Sequence, residues 1–182
     1  MEITEITDPE RKSADCTAVI GKLGAWFGIP TSNERYVREI ASKDVFAAVI
    51  DDRTIGLIAL RYHFRKTAEI WWMGIIPQYH RKGIGQCLSH AARGRALQVG
   101  CTTMAVMTLS PRNPDQGYAD TRAFYERQGF QLLVEFNEDD PRNPLVRMVL
   151  PLSDLHQKSG DLRCCHRGPA ATAATTPPRP SC

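Results

Sequence analysis

Along the chain, stretches that alternate apolar and polar residues take turns with stretches whose apolar residues recur at helical spacing. Residues 2–6 alternate and predict a short first strand. Pro9 opens a helix with Asp8 as its N-cap; it runs to about Trp26 and presents Ala18, Leu23 and Trp26 inward. Gly24, Gly28 and Pro30 break the chain there. A second helix starts near Thr31 or Ser32, with Glu34 in its first turn and Tyr36, Val37 and Ile40 as apolar positions. Two apolar runs, 45–50 and 55–62, are separated by Asp51-Asp52-Arg53-Thr54 and predict a hairpin. A polar link at 63–67 leads to residues 69–76, β-branched and aromatic enough for a buried strand that Pro77 ends. Ile84, Leu88, Ala91 and Ala92 then share one helix face, and 102–109 is strand-like again. Strand, helix and strand over 69–109 thus form a βαβ unit, right-handed with parallel strands. A loop rich in Pro, Asn and Asp at 110–117 precedes a short helix over 118–128, stopped by Gly129. Strands over 130–136 and 145–150 close the sequence of elements, joined by the acidic turn 137–144. There is no internal repeat.

The stretch from Glu69 to Gly100 organises the rest. Its strand runs into a basic loop with two glycines, and a helix starts at that loop. Gly83 and Gly85 let backbone N–H groups approach a ligand with no Cβ in the way. Those amides, with the positive end of the helix dipole and the charges of Arg81 and Lys82, suit an anion. The chemical reading is a phosphate or pyrophosphate cradle. It is not a P-loop, because Lys82 precedes the glycines and no Gly-Lys-Ser/Thr follows. A dinucleotide fingerprint is weak, because the residue where its third glycine belongs is Leu88.

Composition narrows the setting. The 182 residues suit one domain, over 1–153, followed by a Pro/Ala/Thr-rich tail over 154–182 that has almost nothing to bury and is expected to be disordered. The formal charge is +3, but residues 159–182 hold three Arg against one Asp, which leaves the body near +1. A nearly neutral body does not read as a nucleic-acid binder. No apolar run approaches a membrane span and the polar N-terminus is not a signal peptide, so the expected location is cytoplasmic. The six cysteines form no Cys-x-x-Cys, no His stands at zinc-finger spacing, and no metal is expected. An edge strand leaves room for a homodimer.

Two motifs carry a family resemblance. His80-Arg81-Lys82-Gly83-Ile84-Gly85 is similar to the acetyl-CoA loop of the GNAT N-acetyltransferases, Gln/Arg-x-x-Gly-x-Gly/Ala, with His80 in place of Gln or Arg. Thr121 to Phe130 resembles the family's late helix and strand, Ala-x-x-Phe-Tyr-x-x-x-Gly-Phe. The runs 26–30 and 118–125 resemble an uncharacterised bacterial-type subgroup. The resemblance covers roughly residues 2–151 and implies an α/β (α+β) fold. Its mixed central sheet has about six to seven strands, a parallel splayed pair and flanking helices.

The implied activity is transfer of an acetyl group from acetyl-CoA, a cosubstrate, to a primary amine by direct attack in a ternary complex. By resemblance, pantetheine lies in a V-shaped gap between 73–76 and 104–108, bonded to backbone groups of Gly74, Ile75 and Ile76. The pyrophosphate rests on amides from Arg81, Lys82, Gly83, Ile84, Gly85 and Gln86. Tyr125 matches the family tyrosine that protonates the leaving thiolate, a role suited to a phenol with a pKa of about 10. As plain core residues, Phe124 faces in and Tyr125 sits at the rim. Ala68-Glu69-Ile70 matches the general-base segment of the histone-acetylating branch; alternation puts Glu69, Trp71 and Met73 on one face, where an apolar cleft raises the carboxyl pKa. A water relay is the alternative, and His63, Asp120 and Glu135 are further candidates. The acceptor is an amine on a small molecule or a protein, selected by residues 10–42 and 137–144. Glu138-Asp139-Asp140 suits a cationic one such as an aminoglycoside or polyamine. Two other classes compete: a non-catalytic acyl-CoA-binding or regulatory domain, and a general nucleotide-binding module.

Overall fold

The computed structural model describes residues 1–24, 30–136 and 142–152. Trp26, the acidic run Glu138-Asp139-Asp140 and the expected tail lie outside them. The elements are β1 (Glu2–Ile6), α1 (Pro9–Leu23), α2 (Pro30–Glu39), β2 (Asp44–Ile50), β3 (Arg53–His63), β4 (Thr67–Ile75), α3 (Ile84–Gln98), β5 (Thr103–Leu109), α4 (Gln116–Arg127), β6 (Gln131–Phe136) and β7 (Leu145–Pro151). One seven-stranded sheet takes the order β1-β2-β3-β4-β5-β7-β6. All its pairs are antiparallel except β4–β5. That parallel pair is the two strands of the βαβ unit, with α3 as the crossover. The β2–β3 hairpin turns through Asp51 and Asp52, both at positive φ (49° and 58°), as a two-residue turn matched to strand twist requires.

The sheet buries two cores. On one face α3 and α4 pack Ile84, Leu88, Ala92, Ala96 and Tyr125 against Ile58, Ile70, Met104 and Met148. On the other, α1 and its neighbour cover Val45, Ala47, Leu57, Ala59 and Trp72 with Cys16, Val19 and Leu23. Asp8 caps α1 as expected, its carboxylate accepting from the Glu10 amide at 2.9 Å. The inward stripe of α1 is Lys12, Cys16, Val19 and Leu23; Ala18 is exposed and the helix ends at Leu23. Spacings of four, three and four residues follow one helix face, and Ala18 falls just off it.

The alternation expected in β4 fails at one point. Ala59 pairs with Trp72 but Leu60 pairs with Ile70, so Trp71 is an extra, bulged residue. Trp71 and Trp72 therefore both join the α1 side, and the next residue, Met73, faces α3 and α4. Glu69 and Trp71 share a face; Met73 does not. Two consecutive tryptophans are each packed on the same side because the bulge resets the period.

Candidate active site

The site lies where β4 and β5 part. Their pairing runs from Thr67↔Thr103 to Ile70↔Val106 and stops, although β4 continues to Ile75 and β5 to Leu109. Over this second half β4 keeps only β3 as a partner. The Ile76 amide donates to the Ile55 carbonyl at 2.9 Å, so the alternation of an antiparallel ladder turns the N–H and C=O of Ile75 toward the gap. The gap opens into a cleft of about 710 Å³. Met73, Gly74 and Ile75 of β4, the first turn of α3, and Thr121, Phe124 and Tyr125 of α4 wall it. Leu23 of α1 reaches it as well.

The α3 N-terminus presents free amides to the cleft. Its N-cap is Gly83, at φ 79°, and no side chain caps the helix. The first-turn amides of Ile84, Gly85 and Gln86 therefore have no intrahelical acceptor, and all three residues line the cleft. Arg81 at φ 59° turns the loop just before it. Uncapped amides at the positive end of a fifteen-residue helix, beside an elongated cleft, fit a phosphate-bearing ligand. Gly85 itself is not open space. A Cβ there would stand 3.0 Å from the Phe124 ring and 3.2 Å from Met73 Cε, so this glycine admits α4 rather than ligand.

Of the loop cations, Arg81 is 88% exposed and reaches Asp120 of α4 at 3.4 Å across the cleft mouth. Lys82 does not line the cleft; its ammonium sits 5.4 Å from the centre of the Tyr79 ring. Ile76 is also outside it, turned toward α1 with its amide already used. His80 has a part that sequence reasoning missed. Its Nε2 bonds the Ile75 carbonyl at 2.6 Å, so the loop ties back onto the free edge of β4. That carbonyl keeps a second lone pair.

Tyr125 and Phe124 exchange the places expected of them as core residues. Tyr125 is 5% exposed and stacks edge-on between Phe124 and Phe130, while Phe124 is only half-buried at the cleft wall. Tyr125 still lines the cleft, and among the described residues its hydroxyl finds the Met73 thioether at 3.9 Å. Burial pushes its pKa above the ordinary phenol value, so the proton stays on the oxygen. A buried phenol usually finds a good partner, and a thioether is a poor one.

Glu69 is the opposite case. It is 2% exposed, on the face away from Tyr125, and its Oε2 accepts from Arg61 at 2.7 and 3.1 Å and contacts the His63 ring. Burial alone raises its pKa, but the hydrogen bonds from His63 and Arg61 outweigh it and hold the carboxyl below the usual glutamate range. This corrects the expected upward shift: the strand register, not the apolar cleft, supplies its neighbours. Glu135 is likewise committed, to Ser110 and to Arg112 at 2.7 Å. Among the described residues no helix is long and apolar enough to cross a membrane, and no three His, Cys, Asp or Glu side chains are grouped to hold a metal ion.

Comparison with known proteins agrees with this geometry. Residues 41–132 match the family model of the acetyltransferase (GNAT) domain. An uncharacterized N-acetyltransferase of Chlorobaculum tepidum is 25% identical over 122 residues, which cover 65% of this chain and 70% of that one. Among solved structures, one from Desulfovibrio desulfuricans, described as an acetyltransferase of the GNAT family, superposes with a TM-score of 0.71 at 18% identity, over 83% of this chain and 98% of that one. An aminoglycoside 6'-N-acetyltransferase complexed with coenzyme A gives 0.67 at 17% identity, over 84% and 97%. At these identities the structures speak for the fold.

Proposed function

The chain belongs to the GNAT acetyltransferase family, and from that premise we propose that it transfers an acetyl group from acetyl-CoA to a primary amine by direct attack in a ternary complex. The observation that carries this reading is the unzipped parallel pair, whose gap has the uncapped α3 N-terminus at one end and the Tyr125 hydroxyl in its wall. Bound there, acetyl-CoA supplies the acetyl group as a thioester with a good thiolate leaving group. Gly83, Ile84, Gly85 and Gln86 hold the pyrophosphate through main-chain amides, and Arg81 adds charge from the loop. The free edge at Gly74 and Ile75 aligns the pantetheine arm. Tyr125 gives a proton to the departing sulfur; burial keeps that proton on the oxygen, and a thioether partner holds it only weakly.

The incoming ammonium must lose a proton before it attacks. Glu69, bound by Arg61 and lowered in pKa, is a weak base by itself. Neither it nor His63 lines the cleft, so water carries the amine's proton out to solvent. CoA thiol release from acetyl-CoA, measured on a mixed amine panel, tests the reading. Release by the wild type that falls in Tyr125→Phe supports it. Equal release by both discards the tyrosine role, and acetyl-CoA binding with no release by any amine favours a non-catalytic binding domain.

A further inference from the structure

The sheet face opposite α3 and α4 is covered by α1 and its neighbour over β2, β3 and β4. Over β5 and β7 that face has no described helix against it. Register places Glu69 beside Ala105, and Met107 beside Arg147, all on this face. Met107 is the first residue of the face beyond Val106, where β4 and β5 part. Arg147 therefore stands one strand spacing, about 4.8 Å, from Met107, across β5 from the gap and on the sheet face away from Tyr125.

Arg147 is poorly satisfied where it is. Its guanidinium carbon lies 5.4 Å from the centre of the Phe136 ring of β6, and its Nε is buried with no hydrogen-bond partner among the described residues. Among the described residues no carboxylate pairs with it, since Glu69 is taken by Arg61 and His63, and Glu135 by Arg112. A half-buried guanidinium backed by an aromatic ring is a fork for a carboxylate, and leaving it unpaired costs free energy. The cleft that Phe124 and Tyr125 wall is given to acetyl-CoA in the reading above, so an acceptor comes from the open face and meets Arg147 with the end that does not react.

We infer that the acceptor is an amine that also bears a carboxylate, as an amino acid does, and that Arg147 binds this carboxylate. The inference rests on the acetyltransferase reading above and departs from the cationic acceptor that the acidic turn suggests.

The test uses the full chain with acetyl-CoA and α-, β- and γ-amino acids, each paired with its amide, alongside a polyamine and an aminoglycoside. An acid should exceed its amide in kcat/KM by ~10–100-fold, the worth of a charged hydrogen-bonded pair. Arg147→Gln should remove most of that advantage through KM, Arg147→Lys should restore part of it, and acetyl-CoA affinity and melting temperature should hold in both. Equal rates on acid and amide overturn the inference, as do a polyamine or aminoglycoside as the best acceptor, or Arg147→Gln unchanged on the acids. Acetyl-CoA binding without release by any acid overturns it too. A chain that does not bind acetyl-CoA takes down the acetyltransferase reading itself, and the inference with it; turnover without carboxylate preference takes down the inference alone.

Discussion

The two halves of β4 are held differently. Thr67 to Ile70 is hydrogen-bonded to β3 on one edge and β5 on the other, whereas the segment from Trp71 to Ile75 has β3 alone. In the closed half Glu69 is buried and held through its Oε2 by Arg61 and His63. In the open half the polar groups have partners that a ligand could replace: the Ile75 carbonyl meets the His80 ring, and the Tyr125 hydroxyl meets the Met73 sulfur. A complete ladder satisfies its polar groups internally and yields stability. An interrupted one leaves groups for a substrate.

The sharpest way to break this contrast is on the open side. Tyr125→Phe should lower kcat by ~10²–10⁴-fold, the range of general acid catalysis, while the melting temperature barely moves, because the hydroxyl's partner among the described residues is a thioether. Steady-state kinetics with a thermal melt checks both halves of that statement. A large loss of stability with little loss of rate would reverse the assignment.

On the closed side the order of effects inverts. Glu69→Gln should cost about 1–3 kcal/mol in denaturant unfolding, since Arg61 and His63 lose a charged acceptor. The pH dependence follows from the lowered carboxyl pKa. Its contribution is fully present above the ordinary glutamate value of 4.5 and is lost as pH falls from there through the lower folded value. The wild-type melting curve should therefore drop more steeply than that of Glu69→Gln below about pH 4.5. Matching slopes would show that the pair does not hold in solution.

His80→Ala probes the boundary between the halves. Loss of the ring bond to the Ile75 carbonyl should cost about 1 kcal/mol and loosen acetyl-CoA binding by titration calorimetry, and a carboxamide at position 80 should recover part of both. The smallest effect belongs to the cleft mouth. Arg81 and Asp120 are both exposed, so breaking their bridge should change stability by less than about 0.5 kcal/mol. In affinity titrations at low and high salt, Arg81→Ala should weaken acetyl-CoA and Asp120→Asn should not. Equal effects of the two would make Arg81 a partner of α4 alone.

Much of this was readable from local pattern. Strand and helix periods placed the elements, and the two glycines after a basic pair placed the start of α3, because each depends on residues adjacent in the chain. Ala18 was misjudged by one position on a helix face. The bulge at Trp71 left only an adjacent pair of tryptophans as its mark, and it moved Met73 to the other side of the sheet. Phe124 and Tyr125 were both legible as aromatic, but which of them turned inward depended on where α4 met α3, at Gly85.

By itself the sequence determined the order of elements, the βαβ unit and the chemistry of the loop at 80–86. Those follow from backbone preferences and short-range spacing. The tertiary structure alone decided that β4 and β5 separate after Ile70, that Glu69 is paired from β3, and that Arg147 has no carboxylate partner among the described residues of the open face. Each of these depends on register between strands distant in sequence, and a shift of one residue moves a side chain to the opposite face of the sheet.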